Sequence, residues 1–357
     1  MNHGAIIEAL SAKTAHSVRD SHRAGTNLGR RFGGRGRIGP DFCAALLERA
    51  LGYDRELAYS LSVISGWSYS DGRTLARQLK YYGLPGASVD EIAVFNPAMY
   101  IVATAYLIRS ACGRIGILAF RGTEPTNLIS WLTDADVNMH DFGRKGSVHR
   151  GFYSNLRAVW EDLEVSLQRA MAAGEATSDG LPARAPLERL FLTGHSLGGA
   201  MAVLAAAKIV RDAPPDIRRA VRGVYTFGQP AVGDAQFAAA YGALFGDRLY
   251  RHEYAKDAVP RLPPRSSGAF VHFGEARVAF GSHGGWEKAA GLRRQAQLLV
   301  PTALSIVGSF VGRRTPALGK LEYLICKYSL FDDHSPARYI EASRAALAND
   351  RPGRHGG

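Results

Sequence analysis

The sequence has few cysteines and no pair of them close together. Its 357 residues include only Cys43, Cys112 and Cys326, and none of them belongs to a C-x-x-C pair. A disulfide scaffold and a zinc ribbon are therefore excluded. Because 46% of the residues are hydrophobic, the chain can bury a sizeable core, which excludes a wholly disordered protein.

A secretory signal is also missing near the start of the chain. Such a signal needs an apolar run of about 7–15 residues, whereas the longest run here is Ala5-Ile6-Ile7. We therefore expect a cytoplasmic protein or one exported by a non-classical route, and membrane association stays open.

Acidic residues are outnumbered by basic ones, 32 against 44, which gives a net charge of +12. Part of this excess lies in residues 1–40, a Gly/Arg-rich segment with seven basic and two acidic residues. We expect residues 1–40 to form a disordered basic tail, and residues 41–350 to form the folded domain. The charge favours anionic surfaces such as phospholipid headgroups. No aromatic-basic binding module is present, so no nucleic-acid partner is expected.

One apolar stretch, residues 296–312, carries no charged residue. It is shorter than the roughly 20 residues of a membrane span, and Pro301 interrupts it. A buried or surface-docking helix is the favoured interpretation. The arginines on either side of the stretch would also suit contact with anionic lipid headgroups.

Alternating strand and helix patterns predict the fold class. The expected elements comprise helices, a hairpin-like strand pair and further single strands. The helices are expected at 41–66, 152–172, 198–211 and 336–347, and the strands at 100–108, 115–120, 190–193, 224–227, 249–254 and 269–280. This order predicts an α/β fold with a mostly parallel central sheet, an antiparallel start and helices on both sides.

The strongest chemical signal is the motif Gly194-His195-Ser196-Leu197-Gly198-Gly199-Ala200. It follows a short apolar strand and opens a helix. A nucleophilic serine has to protrude from a sharp strand-to-helix turn, and small residues are needed two positions before and after it. Gly194 and Gly198 meet this need, so the motif predicts that Ser196 is a nucleophile.

A serine nucleophile needs a general base that is oriented by a carboxylate. Two acids compete for this role: Asp257 follows a strand, and Asp234 is better placed to cap a helix. Among the histidines, His272 falls inside an alternating strand pattern and His283 in a Gly-rich turn. His334 stands in a loop before the last helix. We therefore predict Asp257 and His334 as the partners of Ser196.

The reaction also needs two N–H donors for the negative oxygen of the tetrahedral intermediate. One is expected from Leu197, the residue after the nucleophile, and the other from the loop that follows an early strand. That loop reads Phe120-Arg121-Gly122-Thr123. Thr123 is therefore the second predicted donor in the oxyanion hole.

Taken in order, these motifs resemble the class 3 (fungal-type) lipases. The resemblance rests on Phe120-Arg121-Gly122-Thr123, Val148-His149-Arg150-Gly151-Phe152, the Ser196 motif, Tyr225-Thr226-Phe227-Gly228-Gln229-Pro230, Asp257-Ala258-Val259-Pro260-Arg261-Leu262-Pro263 and Asp333-His334. It implies an α/β-hydrolase fold, the triad Ser196, Asp257 and His334, and oxyanion donors at Thr123 and Leu197. It also implies a lipid substrate, with no metal and no cofactor.

The resemblance further suggests a lid after the oxyanion strand. Between residues 126 and 138, Leu128, Trp131 and Leu132 form an i, i+3, i+4 apolar stripe. A helix with such a stripe can cover a site in water and open onto a lipid surface. An ordinary packed surface helix is the alternative.

These observations predict a serine carboxylic ester hydrolase that acts on lipids, with a triacylglycerol lipase as the favoured activity. A phospholipase A acting on anionic membranes is the first alternative, and a catalytically silent lipid-binding module is the second. The chain departs from many fungal-type members because it shows neither a secretory signal nor a disulfide framework. Residues 281–330 also insert a long segment before His334, so substrate preference does not carry over.

Overall fold

The computed structural model describes residues 46–47, 51–97, 99, 101–123, 138–172, 184–254, 257–263, 270–281, 285–289 and 333–348. Three predictions lie outside these ranges: the basic tail, the uncharged stretch 296–312 and the lid residues Leu128, Trp131 and Leu132.

Helices and strands alternate along most of the described chain. The helices are α1 (Arg55–Trp67), α2 (Gly72–Tyr82), α3 (Arg150–Met171), α4 (Leu197–Asp212), α5 (Pro215–Ala220), α6 (Ala235–Phe245) and α7 (Pro336–Ala348). The strands are β1 (Ser88–Asn96), β2 (Ile101–Arg109), β3 (Ile115–Phe120), β4 (Met139–Asp141), β5 (Ser147–His149), β6 (Arg189–His195), β7 (Val221–Phe227), β8 (Leu249–Tyr254), β9 (Glu275–Ala279) and β10 (Glu287–Lys288). Within the described ranges, no helix combines the length and apolarity needed to cross a membrane.

The main sheet has eight strands in the order β1-β2-β3-β6-β7-β8-β9-β10. Strands β3, β6, β7, β8 and β9 are parallel to one another. β1 and β2 precede them as an antiparallel pair, and β10 pairs antiparallel with β9. The predicted α/β fold with a mostly parallel sheet and an antiparallel start is therefore confirmed. β4 and β5 form a separate two-stranded sheet.

Both faces of the main sheet are covered by helices. In β6, Leu190 and Leu192 pack into the core that includes residues of α3 and α4, whereas Phe191 packs into the core that includes residues of α1, α2 and α7. Successive side chains of a strand point to opposite faces, so the apolar run Leu190-Phe191-Leu192 contributes to two cores at once. The result is three layers, helix on sheet on helix.

Two helix starts agree with their sequence signals. Asp234 is the N-cap of α6, and its side chain accepts from the N–H of Phe237. Helix α7 starts at Pro336, and the Ser335 hydroxyl accepts from the N–H of Ala337 at 3.3 Å. Such side chains satisfy N–H groups that have no partner within the helix. Asp234 is thus a structural cap, as its sequence context predicts.

The prediction of one long final strand over residues 269–280 is wrong. Only Glu275–Ala279 form β9, and β10 follows it in the chain. Before β9, Phe270 makes an isolated bridge to Asp234, and Gly274 has a φ of 78°. This left-handed residue interrupts the extended backbone, so residues 270–274 do not continue β9 towards the start of the chain. His272 lies in this part, and its Nε2 bonds to the carbonyl oxygen of Pro260 at 2.7 Å.

Candidate active site

Ser196 lies at the turn between β6 and α4, at the carboxyl edge of the parallel strands. Its φ is 61° and its ψ is −129°, a combination that non-glycine residues rarely adopt. The N–H of Ser196 donates to the carbonyl oxygen of Phe227 at 2.9 Å, which ties the turn to the end of β7. A strained turn held in this way is the backbone form in which a serine projects as a nucleophile.

Close backbone packing explains the glycines on either side of Ser196. A Cβ on Gly194 would overlap the backbone of Gly198, and a Cβ on Gly198 would overlap the carbonyl oxygen of Phe120 at the end of β3. Any larger residue at either position would push these segments apart. The turn therefore depends on the small residues that the motif supplies.

The structure brings Ser196, His334 and Asp257 into one hydrogen-bonded line. His334 Nε2 is 2.8 Å from Ser196 Oγ, and His334 Nδ1 is 2.7 Å from Asp257 Oδ2. All three residues are buried. Asp257 follows β8 and His334 precedes α7. The three residues predicted together from sequence thus meet at one edge of the sheet.

Two of the competing candidates lie elsewhere in the structure. Asp234 caps α6, and His272 bonds to the Pro260 carbonyl oxygen. His283 falls outside the part of the chain that the structure describes.

Asp257 has further hydrogen-bond donors beside His334. Its Oδ1 accepts from the N–H of Val259 at 2.8 Å, and its Oδ2 accepts from the Tyr339 hydroxyl at 2.5 Å. Burial, followed by the charge of Asp257, raises the pKa of Tyr339 well above its usual range. Tyr339 therefore stays a neutral donor. Sequence reasoning missed it, because its only signal is its place near the start of α7.

His195 packs against the ring of His334. The two ring centroids are 4.6 Å apart, and His195 Nδ1 is 2.9 Å from the Tyr69 hydroxyl. Burial, followed by the nearby His334, lowers the pKa of His195 well below its usual range. The imidazole behind His334 is therefore neutral. It fills space there without adding a positive charge.

The two predicted oxyanion donors flank the serine turn. Thr123 is buried and lies three residues after the end of β3, and Phe120 of β3 is paired with Gly194 of β6. Leu197 is the first residue of α4, so its N–H has no acceptor within the helix. Leu197 is thus next to Ser196, and the segment that leads to Thr123 lies beside the serine turn.

This arrangement can generate a nucleophile. When His334 Nδ1–H donates to Asp257, Nε2 carries a lone pair that can accept the proton of Ser196 Oγ. A serine hydroxyl with such a base is activated for attack on an electrophilic carbonyl carbon.

Residues 117–267 match the family model described as lipase (class 3). This part of the chain is similar to the class 3 lipases. The match begins in β3 and includes Thr123, Ser196 and Asp257. His334 lies beyond the matched residues, and its assignment rests on the hydrogen bonds to Ser196 and Asp257.

The chain is similar to proteins named as lipases in plants and fungi. It is 31% identical over 186 residues to triacylglycerol lipase OBL1 of Arabidopsis thaliana, covering 44% of this chain and 36% of that protein. It is 32% identical over 171 residues to a lipase of Rhizopus niveus, covering 47% and 40%. The chain thus spans about two fifths of these relatives. The solved structure of lipase II from Rhizopus niveus aligns with 26% identity and a TM-score of 0.48, over 66% of this chain and 80% of that one.

Proposed function

We propose that the protein is a serine carboxylic ester hydrolase that acts on lipids, with Ser196 as nucleophile, His334 as general base and Asp257 as the residue that orients the base. The observation that carries the proposal is the continuous line from Ser196 Oγ through His334 to Asp257, with hydrogen bonds of 2.8 and 2.7 Å. The match of residues 117–267 to the class 3 lipases supports it.

In the first half of the reaction, Ser196 Oγ attacks the ester carbonyl carbon while its proton passes to His334 Nε2. The N–H groups of Thr123 and Leu197 stabilise the negative oxygen that forms. Asp257 stabilises the imidazolium through Nδ1–H. His334 then returns the proton to the leaving alcohol, and the acyl group stays on Ser196 as an ester.

In the second half, a water molecule takes the place of the alcohol. It gives a proton to His334 Nε2 and attacks the acyl-enzyme carbonyl carbon. The tetrahedral intermediate collapses, the carboxylic acid leaves, and the proton returns to Ser196 Oγ. His334 needs no change of position between the two halves, because Asp257 holds Nδ1 throughout.

We further propose an acylglycerol as the substrate, with triacylglycerol favoured. The relatives support this choice, since one is named a triacylglycerol lipase and another, from Fusarium solani, a secreted mono- and diacylglycerol lipase. A phospholipase A remains the alternative, because the net charge of +12 favours anionic headgroups. Peripheral contact with a lipid surface belongs to either proposal.

The decisive experiment compares the native protein with Ser196→Ala on three substrates: a soluble short-chain ester, emulsified triacylglycerol and anionic phospholipid vesicles. Ser62→Ala is the matched control. It removes another buried hydroxyl, one that bonds to the carbonyl oxygen of Tyr59 within α1. We expect the native protein and the control to hydrolyse an ester, and Ser196→Ala to lose activity by a factor of about 10³ or more.

The lipid that is hydrolysed fastest then identifies the substrate class. A rate that rises steeply once triacylglycerol forms an emulsion supports the triacylglycerol proposal, and faster hydrolysis of the vesicles replaces it with a phospholipase. Equal activity of Ser196→Ala and the native protein would refute the triad, and hydrolysis of none of the three substrates would favour the silent lipid-binding module.

A further inference from the structure

A cavity of about 270 Å³ lies at the amino edge of the parallel strands. One part of its wall is formed by Arg189 at the start of β6 and Arg222 near the start of β7. The rest is mostly apolar or aromatic, with the side chains of Leu46, Leu51, Leu57, Phe191, Tyr53 and Tyr225. The cavity thus joins a basic end to leucine and aromatic side chains, and its wall as a whole is somewhat more polar than apolar.

This cavity is separate from the catalytic site. Arg189 and Ser196 lie seven residues apart along β6 and its turn, which corresponds to roughly 20 Å at about 3.3 Å per residue of strand. Ser196 is at the carboxyl edge and the arginines are at the amino edge. A ligand in the cavity would therefore touch none of the catalytic groups.

An irregularity of the sheet directs Arg222 into the cavity. Leu190 pairs with Val221 and the next residue, Phe191, pairs with Gly223, so Arg222 is an extra residue on β7. Such a bulge changes the direction of the side chain it carries. Arg222 consequently lines the same cavity as Phe191 and Tyr225, which belong to one face of the sheet.

Arg222 forms no ion pair with another residue of the described ranges. Its Nε is buried and has no hydrogen-bond partner there. Burial lowers the pKa of Arg189, and the nearby positive charge of Arg222 lowers it further. The acid that lines the cavity is Asp54, and its carboxylate accepts from the N–H of Leu57 at 2.7 Å as the N-cap of α1. Because the two guanidinium charges at this end repel each other, an anion bound there would stabilise the protein.

We propose that this cavity binds a single-chain amphiphile with an anionic head, with the head on Arg222 and the apolar chain along the leucine and aromatic wall. A fatty carboxylate and a single-chain alkyl phosphate share this chemistry. Guanidinium groups bind either head through charge-assisted hydrogen bonds, and the apolar side chains remove the chain from water. The proposal does not depend on ester hydrolysis at Ser196.

The test is calorimetric titration of the full chain with octanoate, octyl phosphate and octanol, each below its aggregation concentration. Because a hydrogen bond to a charged group contributes about 1.5–3 kcal/mol, we expect octanoate or octyl phosphate to bind about 10-fold more tightly than octanol, or better. In Arg222→Gln this preference should vanish, and in Arg222→Lys most of it should remain. Arg219→Gln is the matched control: Arg219 is an exposed arginine of α5, which directly precedes β7, and its loss should leave the preference unchanged.

Two further variants test whether the three compounds bind in this cavity. Leu51→Trp enlarges a side chain at the mouth of the cavity that is 53% exposed, so it should fold normally and weaken binding of all three compounds. Ser196→Ala should bind them like the native protein, because Ser196 does not line the cavity. Tighter binding of octyl phosphate than of octanoate points to a phosphate head, and the reverse points to a fatty acid. Equal affinities for octanoate, octyl phosphate and octanol, or a preference that survives Arg222→Gln, would overturn the proposal.

Discussion

At the scale of single residues, the candidate site contains two kinds of side chain. Some can be predicted from the neighbouring sequence, and others reach the site only because the chain folds. Ser196 and Asp257 stand in motifs whose chemistry can be inferred from a few neighbouring residues. Tyr339 is separated from Asp257 by 82 positions along the chain, and no local pattern marks it. Its hydroxyl joins the site because α7 packs beside the end of β8, where it also accepts from the N–H of Tyr254.

The contact between Tyr339 and Asp257 leads to a prediction for Tyr339→Phe. This change removes one donor from Asp257 Oδ2 but leaves Val259 N–H and His334 in place. A hydrogen bond to a charged group is worth about 1.5–3 kcal/mol, so we expect kcat on a soluble ester to fall by roughly 10- to 100-fold with little change in KM. Steady-state kinetics across pH would measure the loss together with any shift in the pH profile.

A matched control is Tyr250→Phe. The Tyr250 hydroxyl donates to the carbonyl oxygen of Asp247 at 3.2 Å, near the start of β8 and away from the site. We expect its kcat to equal that of the native protein. If both variants retain full activity, Tyr339 has no part in positioning Asp257.

At the scale of secondary-structure elements, the turn between β6 and α4 is closely packed against the end of β3. Gly198→Ala would place a Cβ against the carbonyl oxygen of Phe120, so we expect it to cost about 3 kcal/mol or more of unfolding free energy and most of the hydrolytic activity. Denaturant unfolding and a soluble-ester assay would measure both effects.

Gly242→Ala is the control for this change. Gly242 lies within α6, and the nearest atom to an added Cβ would be Phe273 Cβ at 3.6 Å, an ordinary contact. Alanine favours a helix over glycine by about 0.5–1 kcal/mol, so this variant should be as stable as the native protein or more so. Comparable destabilisation in both variants would argue against close packing at the turn.

The start of α3 carries a pH-dependent cap. His149 is the N-cap, and its Nδ1 accepts from the N–H groups of Gly151 and Phe152 at 3.1 and 3.4 Å. Burial lowers the pKa of His149 from 6.5 to about 4. The unfolded chain therefore binds a proton at this residue between these two pH values and the folded chain does not. The stabilisation is complete above pH 6.5 and is lost as the pH falls towards 4.

We expect His149→Asn to flatten this dependence. Asparagine can still cap the helix but does not titrate, so the loss of unfolding free energy between pH 7 and pH 5 should shrink by about 2 kcal/mol. Other buried histidines, such as His195 and His252, titrate alike in both proteins, so the difference isolates His149. His140→Asn, a change at a partly exposed residue of β4, should keep the native dependence. A native dependence in His149→Asn as well would contradict the prediction.

Elements with a long apolar pattern could be predicted from sequence, and short or polar ones could not. The predictions for helix 152–172 and for the strand pair 100–108 and 115–120 are confirmed within a few residues. Strand β1 has only two buried residues among nine because it lies at a sheet edge, so its sequence lacks a strand pattern. β10 has two residues, too few for any periodicity. Both form by pairing with a neighbouring strand, β1 with β2 and β10 with β9, and their own sequences carry no signal for that pairing.

At the scale of the whole molecule, the candidate catalytic groups and a concentration of arginines occupy opposite edges of the sheet. Ser196 and Asp257 follow the carboxyl ends of parallel strands. The arginines at or near the amino edge are Arg109, Arg114, Arg189, Arg222 and Arg248. Some of this charge is neutralised locally, as in the exposed pair of Arg114 and Glu188 at 2.6 Å. The candidate active site is thus built independently of the basic edge.

The basic segment at the start of the chain leads to a prediction at the same scale. Every hydrogen bond among Ser196, His334, Asp257 and Tyr339 is made by residues beyond position 190. Deleting residues 1–38 should therefore leave kcat and KM on a soluble short-chain ester unchanged.

The deletion removes seven basic and two acidic residues, and each basic residue near an anionic membrane contributes about 1 kcal/mol to binding. We expect affinity for anionic vesicles to fall at least 10-fold and affinity for neutral vesicles to stay the same. Raising the salt concentration should weaken the native protein's binding to anionic vesicles and narrow the gap between the two proteins, because the attraction is screened. Vesicle co-sedimentation beside the ester assay would measure both properties, and a large loss of turnover on the soluble ester would mean that the segment supports the catalytic site itself.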